Sequence, residues 1–128
     1  MLGSWPTFED NRGLLAPIEF DNLDFTPRRI FYVTNVPKGD ERGYHAHYTT
    51  QQILTCIQGE IIVSLHDGQK LETVTLQPTQ WVFIDRLIWD SQKFVTGNEV
   101  LMCVCSTLYE KSDYIEDFEV FKKLVGGN

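Results

Sequence analysis

Along most of the chain, apolar and polar residues alternate in short runs broken by Gly, Pro, Asn and Asp. A period of two bounded by turn residues is the signature of half-buried strands. Arg29 to Thr34 reads as a strand from its β-branched and aromatic content, and Val36 to Asp40 as a loop from its Pro and Gly. Further strands are predicted over Tyr44 to His47, Gln52 to Ile57, Glu60 to Leu65, Leu71 to Leu76, Trp81 to Ile84, a short stretch near Phe94, and Glu99 to Thr107. Gln58-Gly59 closes one turn, and Asp67-Gly68 within His66 to Gln69 suits a tight hairpin with positive φ at both central positions. Turns at this spacing imply an all-β sandwich or barrel.

The end of the chain changes period. Ile115, Phe118, Phe121 and Leu124 recur at helical spacing, and Ser112 is placed to cap the first turn. One amphipathic helix over Ser112 to Val125 is expected, packed outside the barrel or against a second subunit. No repeat, low-complexity tract or linker interrupts residues 1–128, so a single domain is expected.

Composition narrows the options. A chain of 128 residues that is 42% hydrophobic can bury roughly two-thirds of its unfolded surface, enough for a core that needs no metal or disulfide. The 11 Lys and Arg against 18 Asp and Glu leave a net charge of -7, the wrong sign for a nucleic-acid or anionic-membrane binder. Cys56, Cys103 and Cys105 lie in apolar stretches without metal-type spacing and read as small buried hydrophobes of a reducing compartment. No apolar run approaches a membrane span, and Met1 to Asp10 lacks the layout of a signal peptide, so a cytoplasmic protein is expected.

The chemistry concentrates in Arg42-Gly43-Tyr44-His45-Ala46-His47. Residues two apart on a strand share a face, so His45 and His47 present two imidazoles side by side. The spacing His-x-His, then Gln52, then Gly59 resembles the first motif of the cupin superfamily, and Trp81 to Asp90 resembles the second. A metal site on that pattern would be His45, His47, Gln52 and Asp90. An amide then stands where a carboxylate is usual and a carboxylate where the third imidazole is usual, a poor set for a transition metal. No metal or other cofactor is expected.

A closer resemblance uses the same residues. Arg29 to Tyr32, Arg42 to His47, Gln52 to Cys56, Gly59, Asp67-Gly68, Ile88-Trp89, Ser112 to Ile115 and Asn11 to Leu14 together resemble the dTDP-4-keto-6-deoxyglucose 3,4-ketoisomerase family. This implies a cupin-type jelly-roll barrel with a C-terminal helix that is metal-independent and dimeric. It also implies a dTDP-linked 4-keto-6-deoxyhexose as substrate, in the making of dideoxy-amino sugars for surface glycans. His45 and His47 take the catalytic role of the family's histidine pair, without a decision as to which one takes the C3 proton. A base with a pKa near 6.5 suits the removal and return of that proton.

Arg42 is the expected donor to the developing enediolate, and Arg29, with Arg12 further off, the expected partner of the diphosphate. Arg28 and Arg29 point to opposite faces of their strand, so only one of them reaches a pocket, and Arg29 is preferred. Tyr32, Gln52 and Trp89 are candidates for ring packing or hydroxyl contacts. Leu14 and Asp90 depart from the aromatic, basic or histidine residues common at those pocket positions in the family: an acidic Asp90 either orients one of the histidines and raises its pKa, or marks a different sugar or a relative that has lost activity. Two rival readings are another cupin enzyme, metal-dependent or an epimerase, and a sugar-nucleotide binding module without catalysis.

Overall fold

A computed structural model describes residues 2–126. Three short strands come first, β1 (Leu2–Ser4), β2 (Phe8–Asp10) and β3 (Gly13–Leu15). Nine more follow: β4 (Arg29–Thr34), β5 (Glu41–His47), β6 (Gln52–Gln58), β7 (Ile61–His66), β8 (Leu71–Leu76), β9 (Gln80–Ile84), β10 (Trp89–Phe94), β11 (Val100–Cys105) and β12 (Tyr114–Ile115). A single α-helix, α1 (Phe118–Gly126), ends the described chain. Every strand pairing is antiparallel.

The strands form two five-stranded sheets, β1-β9-β6-β11-β4 and β12-β5-β10-β7-β8, with β2 and β3 paired only to each other. The inner faces meet in one apolar cluster, with Leu54, Val63, Val82, Phe94, Leu101 and Cys103 among its buried members. The alternation that identified the strands also sorts their faces. On β4, Arg29, Phe31 and Val33 turn inward, while Ile30 and Tyr32 are exposed. All three cysteines are free and buried. Among the described residues no helix is long and apolar enough to cross a membrane.

Three sequence expectations change. At the β7–β8 hairpin only Gly68 of the Asp67-Gly68 pair has positive φ (+105°), because the loop spans four residues, Asp67 to Lys70, rather than two. The helix does not begin near Ser112: Lys111–Asp113 is a 3-10 turn, and Ile115 lies on β12, paired with Ala46 of β5. Asp117 supplies the cap instead, its Oδ1 accepting from the N–H groups of Glu119 (2.8 Å) and Val120 (3.2 Å). The i+3 spacing continued through Ile115 only because its strand leads into the apolar face that α1 extends. In addition, the short stretch near Phe94 is a full strand from Trp89, buried between β5 and β7.

A buried carboxylate ties two turns together far from the sheets' chemistry. Glu99, 1% exposed, accepts from the backbone N–H groups of Glu60, Thr96 and Gly97 and from the Thr96 hydroxyl. Burial pushes its pKa up, but these donors outweigh it and hold the group at about 2. Gly59 is required beside it: φ is +84°, and a Cβ there would lie 2.8 Å from Glu99 Cγ. The ionised carboxylate therefore stabilises the fold fully above about pH 4.5, and that contribution is lost as the pH falls toward about 2. In denaturant titrations Glu99→Gln should lose roughly 1–3 kcal/mol at neutral pH and flatten the acid dependence in that window.

Candidate active site

A cavity of about 330 Å³ opens between the sheets, lined from one side by Arg29, Phe31 and Gln52 and from the other by Arg42, His45 and Asp90. Gln92, Tyr109 and Tyr114 complete its polar wall. The volume is at the small end of ligand pockets.

An irregularity in β5 makes this wall. Arg42 and His45 are three residues apart and would face opposite ways on a regular strand. The register against β10 shifts between Asp90 and Ser91, where His45 pairs with Asp90 and Gly43 with Ser91, so Tyr44 is an extra residue. Gly43 and Tyr44 both have positive φ, +98° and +65°. A Cβ on Gly43 would come within 3.0 Å of the Asp90 carbonyl oxygen and of Ser91 Cα. This bulge turns both Arg42 and His45 to the cavity and throws Tyr44 outward.

His45 and His47 stand edge to face, ring centroids 4.9 Å apart, and Tyr114 packs on both at 5.0 and 4.5 Å. His45 lines the cavity; His47, 3% exposed, sits behind it. Burial lowers the pKa of His45, against a backbone hydrogen bond with Gly43 that raises it. Burial, then neighbouring His45, lowers His47 to about 4, with Arg29 outweighed in turn by Asp113, whose charge acts the other way. Both imidazoles are thus held toward the neutral form at pH 7, and the rise expected from Asp90 does not occur, because burial outweighs it and pushes the Asp90 carboxyl itself toward its uncharged form.

Three buried polar side-chain atoms among the described residues have no hydrogen-bond partner: Arg29 Nε, His47 Nε2 and Asp90 Oδ2. All three belong to this site. Leaving such a group unpaired costs on the order of 1–3 kcal/mol, and two of the three belong to residues that line the cavity, Arg29 and Asp90, which marks it as a place for a polar ligand. Asp90 is 1% exposed; its Oδ1 accepts from Gln92 Nε2 at 2.5 Å, and burial drives its pKa up to about 7 despite that bond. The Arg29 guanidinium lies 5.8 Å from the ring centroids of Phe31 and of Tyr109.

The residues singled out from sequence separate into two groups. Arg29, Arg42, His45, Gln52 and Asp90 line one cavity, with His47 directly behind. Arg12, Tyr32 and Trp89 lie elsewhere. Arg12 sits on the β2–β3 hairpin, its side chain 86% exposed and paired with Asp10 at 2.8 Å. Leu14 is exposed on the same hairpin. Tyr32 is 73% exposed because residue 32 falls on the outer face of β4. Trp89 precedes Asp90 by one residue and so takes the opposite face, packed on Phe118 and Phe121 of α1.

The two arginines also differ from expectation in depth: Arg29 is the half-buried one beside the imidazoles, and Arg42 is exposed at the rim. Tyr109, Tyr114 and Gln92 were not anticipated. Tyr114 was hidden by its assignment to the helix, whereas Gln92 could have been found, two residues from Asp90 on one strand face. The metal set does not assemble. Gln52 Nε2 is turned to Cys105 Sγ at 3.5 Å, and no three His, Cys, Asp or Glu among the described residues gather around a common point.

An antiparallel sandwich with acid–base side chains converging inside one end is a small-molecule site on a cupin-type barrel. Residues 2–126 match the family described as FdtA: WxcM-like, C-terminal, and the chain belongs to that family. It is 31% identical over 118 residues to TDP-4-oxo-6-deoxy-alpha-D-glucose-3,4-oxoisomerase of Aneurinibacillus thermoaerophilus, covering 91% of this chain and 85% of the relative. QdtA of Thermoanaerobacterium thermosaccharolyticum, a sugar 3,4-ketoisomerase solved with TDP, superposes with a TM-score of 0.94 at 28% identity, over 99% of this chain and 94% of that one. A histidine-to-asparagine variant of QdtA, with TDP-4-keto-6-deoxyglucose bound, matches with the same TM-score at 27% identity over the same shares of the two chains. The rmlC epimerase of Mycobacterium tuberculosis shares the fold alone, with a TM-score of 0.77 at 16% identity over 88% of this chain and 66% of that one.

The depressed imidazole pKa is directly measurable. Nitrogen chemical shifts of His47 should report a neutral ring down to about pH 4, while a midpoint near 6.5 would contradict the burial described.

Proposed function

We propose that the chain is a nucleotide-sugar 3,4-ketoisomerase, moving the ketone of dTDP-4-keto-6-deoxyglucose from C4 to C3. The observation that carries this reading is the pair of neutral imidazoles, His45 and His47, set against a cavity that also holds unpartnered polar atoms. Family membership and the named activities of its relatives support the same substrate class.

The reaction needs a base, a way to hold negative charge on oxygen, and an acid. A neutral imidazole of the pair takes the proton from C3; the C–H electrons form the C3=C4 bond, and the C4 ketone becomes an enediolate. The same pair, now carrying the proton, returns it to C4 as the C3 oxygen becomes the carbonyl. Arg29, which lines the cavity and has a buried, unpartnered Nε, is the cation assigned here to the enediolate oxygen. Exposed Arg42 at the rim is better placed for the diphosphate, the reverse of the roles suggested by sequence order. Catalysis in this scheme uses side chains only.

A homodimer fits the surface. β4 is an edge strand carrying exposed Tyr32 and Ile30, and the β2–β3 hairpin, bonded to neither large sheet, exposes Phe8, Leu14 and Leu15. A second copy is the proposed occupant of these two exposed segments, which carry Arg12, Leu14 and Tyr32. Light scattering on the purified protein should give twice 14.8 kDa, and Tyr32→Glu should halve it.

With dTDP-4-keto-6-deoxyglucose, His45→Asn and His47→Asn should each lower kcat by about 10²–10⁴-fold while TDP still binds. The acid limb of the parent's kcat/KM should fall below the ordinary imidazole value of 6.5, because both pKa shifts are downward. Tight TDP binding with no conversion of the sugar by the parent would favour a binding module instead.

A further inference from the structure

Moving a ketone by one carbon moves two protons, and the imidazole pair accounts for only the one that travels between carbons. The other must leave the C3 oxygen and arrive at the C4 oxygen. In a cis-enediol these two oxygens are neighbours, so one acceptor atom can serve both. Such an atom must be polar, free of other partners, shielded from water and directed into the cavity.

The geometry points to Asp90 as the residue that carries this second proton, its Oδ2 giving a proton to the C4 oxygen and taking one from the C3 oxygen. Asp90 is 1% exposed and lines the cavity, and Gln92 holds Oδ1, which leaves Oδ2 as the unpartnered oxygen. Pairing of β10 with β5 sets it directly opposite His45 of the imidazole pair. The step balances. Protonated Asp90 gives H⁺ to the enediolate oxygen at C4 and becomes a carboxylate. The carboxylate then takes H⁺ from the C3 hydroxyl as C3=O forms and the imidazolium protonates C4, restoring Asp90 and the imidazole to their starting forms.

The surroundings suit both states of Asp90. Arg42 and His45 face it from β5, Arg29 from β4 and Tyr114 from β12; Cys103 on β11 is close enough to feel its charge. On β7 its neighbour is Leu65, which brings no charge. Burial raises its pKa to about 7, with Gln92 pulling the other way, so acid and carboxylate are both accessible near neutrality.

The role rests on the ketoisomerase reading, and isotope exchange separates the two. In D₂O with dTDP-4-keto-6-deoxyglucose, Asp90→Asn should still wash deuterium into C3 of recovered substrate within tenfold of the parent rate. Formation of the 3-keto sugar should fall by about 10²-fold or more. The parent should show an alkaline limb near pH 7, and the variant's residual turnover should lack it. Gln92→Leu, which removes the bond holding the Asp90 pKa down, should move that limb upward; a limb that stays in place overturns the assignment. Exchange and turnover lost by the same factor in Asp90→Asn overturn the relay alone, whereas a parent that binds the sugar and forms no 3-keto product overturns the ketoisomerase reading with it.

Discussion

Taking a charged or polar group out of water without giving it a partner is among the most expensive things a fold can do, and this sandwich does it three times in one place. Arg29 Nε, His47 Nε2 and Asp90 Oδ2 are the buried side-chain atoms left unpaired among the described residues. At roughly 1–3 kcal/mol each, they consume stability comparable with a small domain's whole margin. The inner faces of two sheets, packed through Leu54, Val63, Phe94 and Leu101, supply what offsets it. The apolar core and the reactive site are thus continuous: Leu54 and Leu101 belong to the buried cluster and also line the cavity, with Phe31 and Val33 packed beside them.

Desolvation also sets the chemistry. It lowers the two imidazoles and raises the carboxyl, so that His45 and His47 are bases and Asp90 an acid or its conjugate at the same pH. Groups whose surroundings push their pKa values in opposite senses can share the proton traffic of one reaction. The bulge at Gly43 and Tyr44 makes the grouping geometrically possible, since without it Arg42 and His45 would face opposite ways. Away from the site, the carboxylate of Glu99 is treated in the opposite manner, buried but met by four donors, and serves the turns alone.

Much of this was legible from residue order because the strand period is two. Alternation located β4 to β9, placed His45 beside His47, and showed that Arg28 and Arg29 take opposite faces, without itself choosing between them. The same rule, applied to Trp89 and Asp90, would have sent Trp89 outward, where it packs on α1. What periodicity does not reveal is the break in its own pattern: the bulge is a backbone feature whose only local trace is Gly43. Nor could spacing alone tell that Ile115 belongs to a strand, because it falls on the apolar line of the helix that Asp117 begins. Arg12 and Tyr32 are of chemically suitable types in positions that turn away from their own chain's cavity, a distinction set by tertiary placement.

The proposed catalysis depends on a neutral imidazole pair in this cavity that takes a proton from C3 of the sugar and returns one to C4. Incubating the protein with dTDP-4-keto-6-deoxyglucose in D₂O and following C3 and C4 by NMR tests it most directly. The prediction is a 3-keto product whose C4 carries either the hydrogen that left C3 or solvent deuterium exchanged with it on the imidazolium, formed by the parent and slowed by about 10²–10⁴-fold in both histidine variants. A bound sugar that keeps its C3 hydrogen and its C4 ketone indefinitely would contradict it.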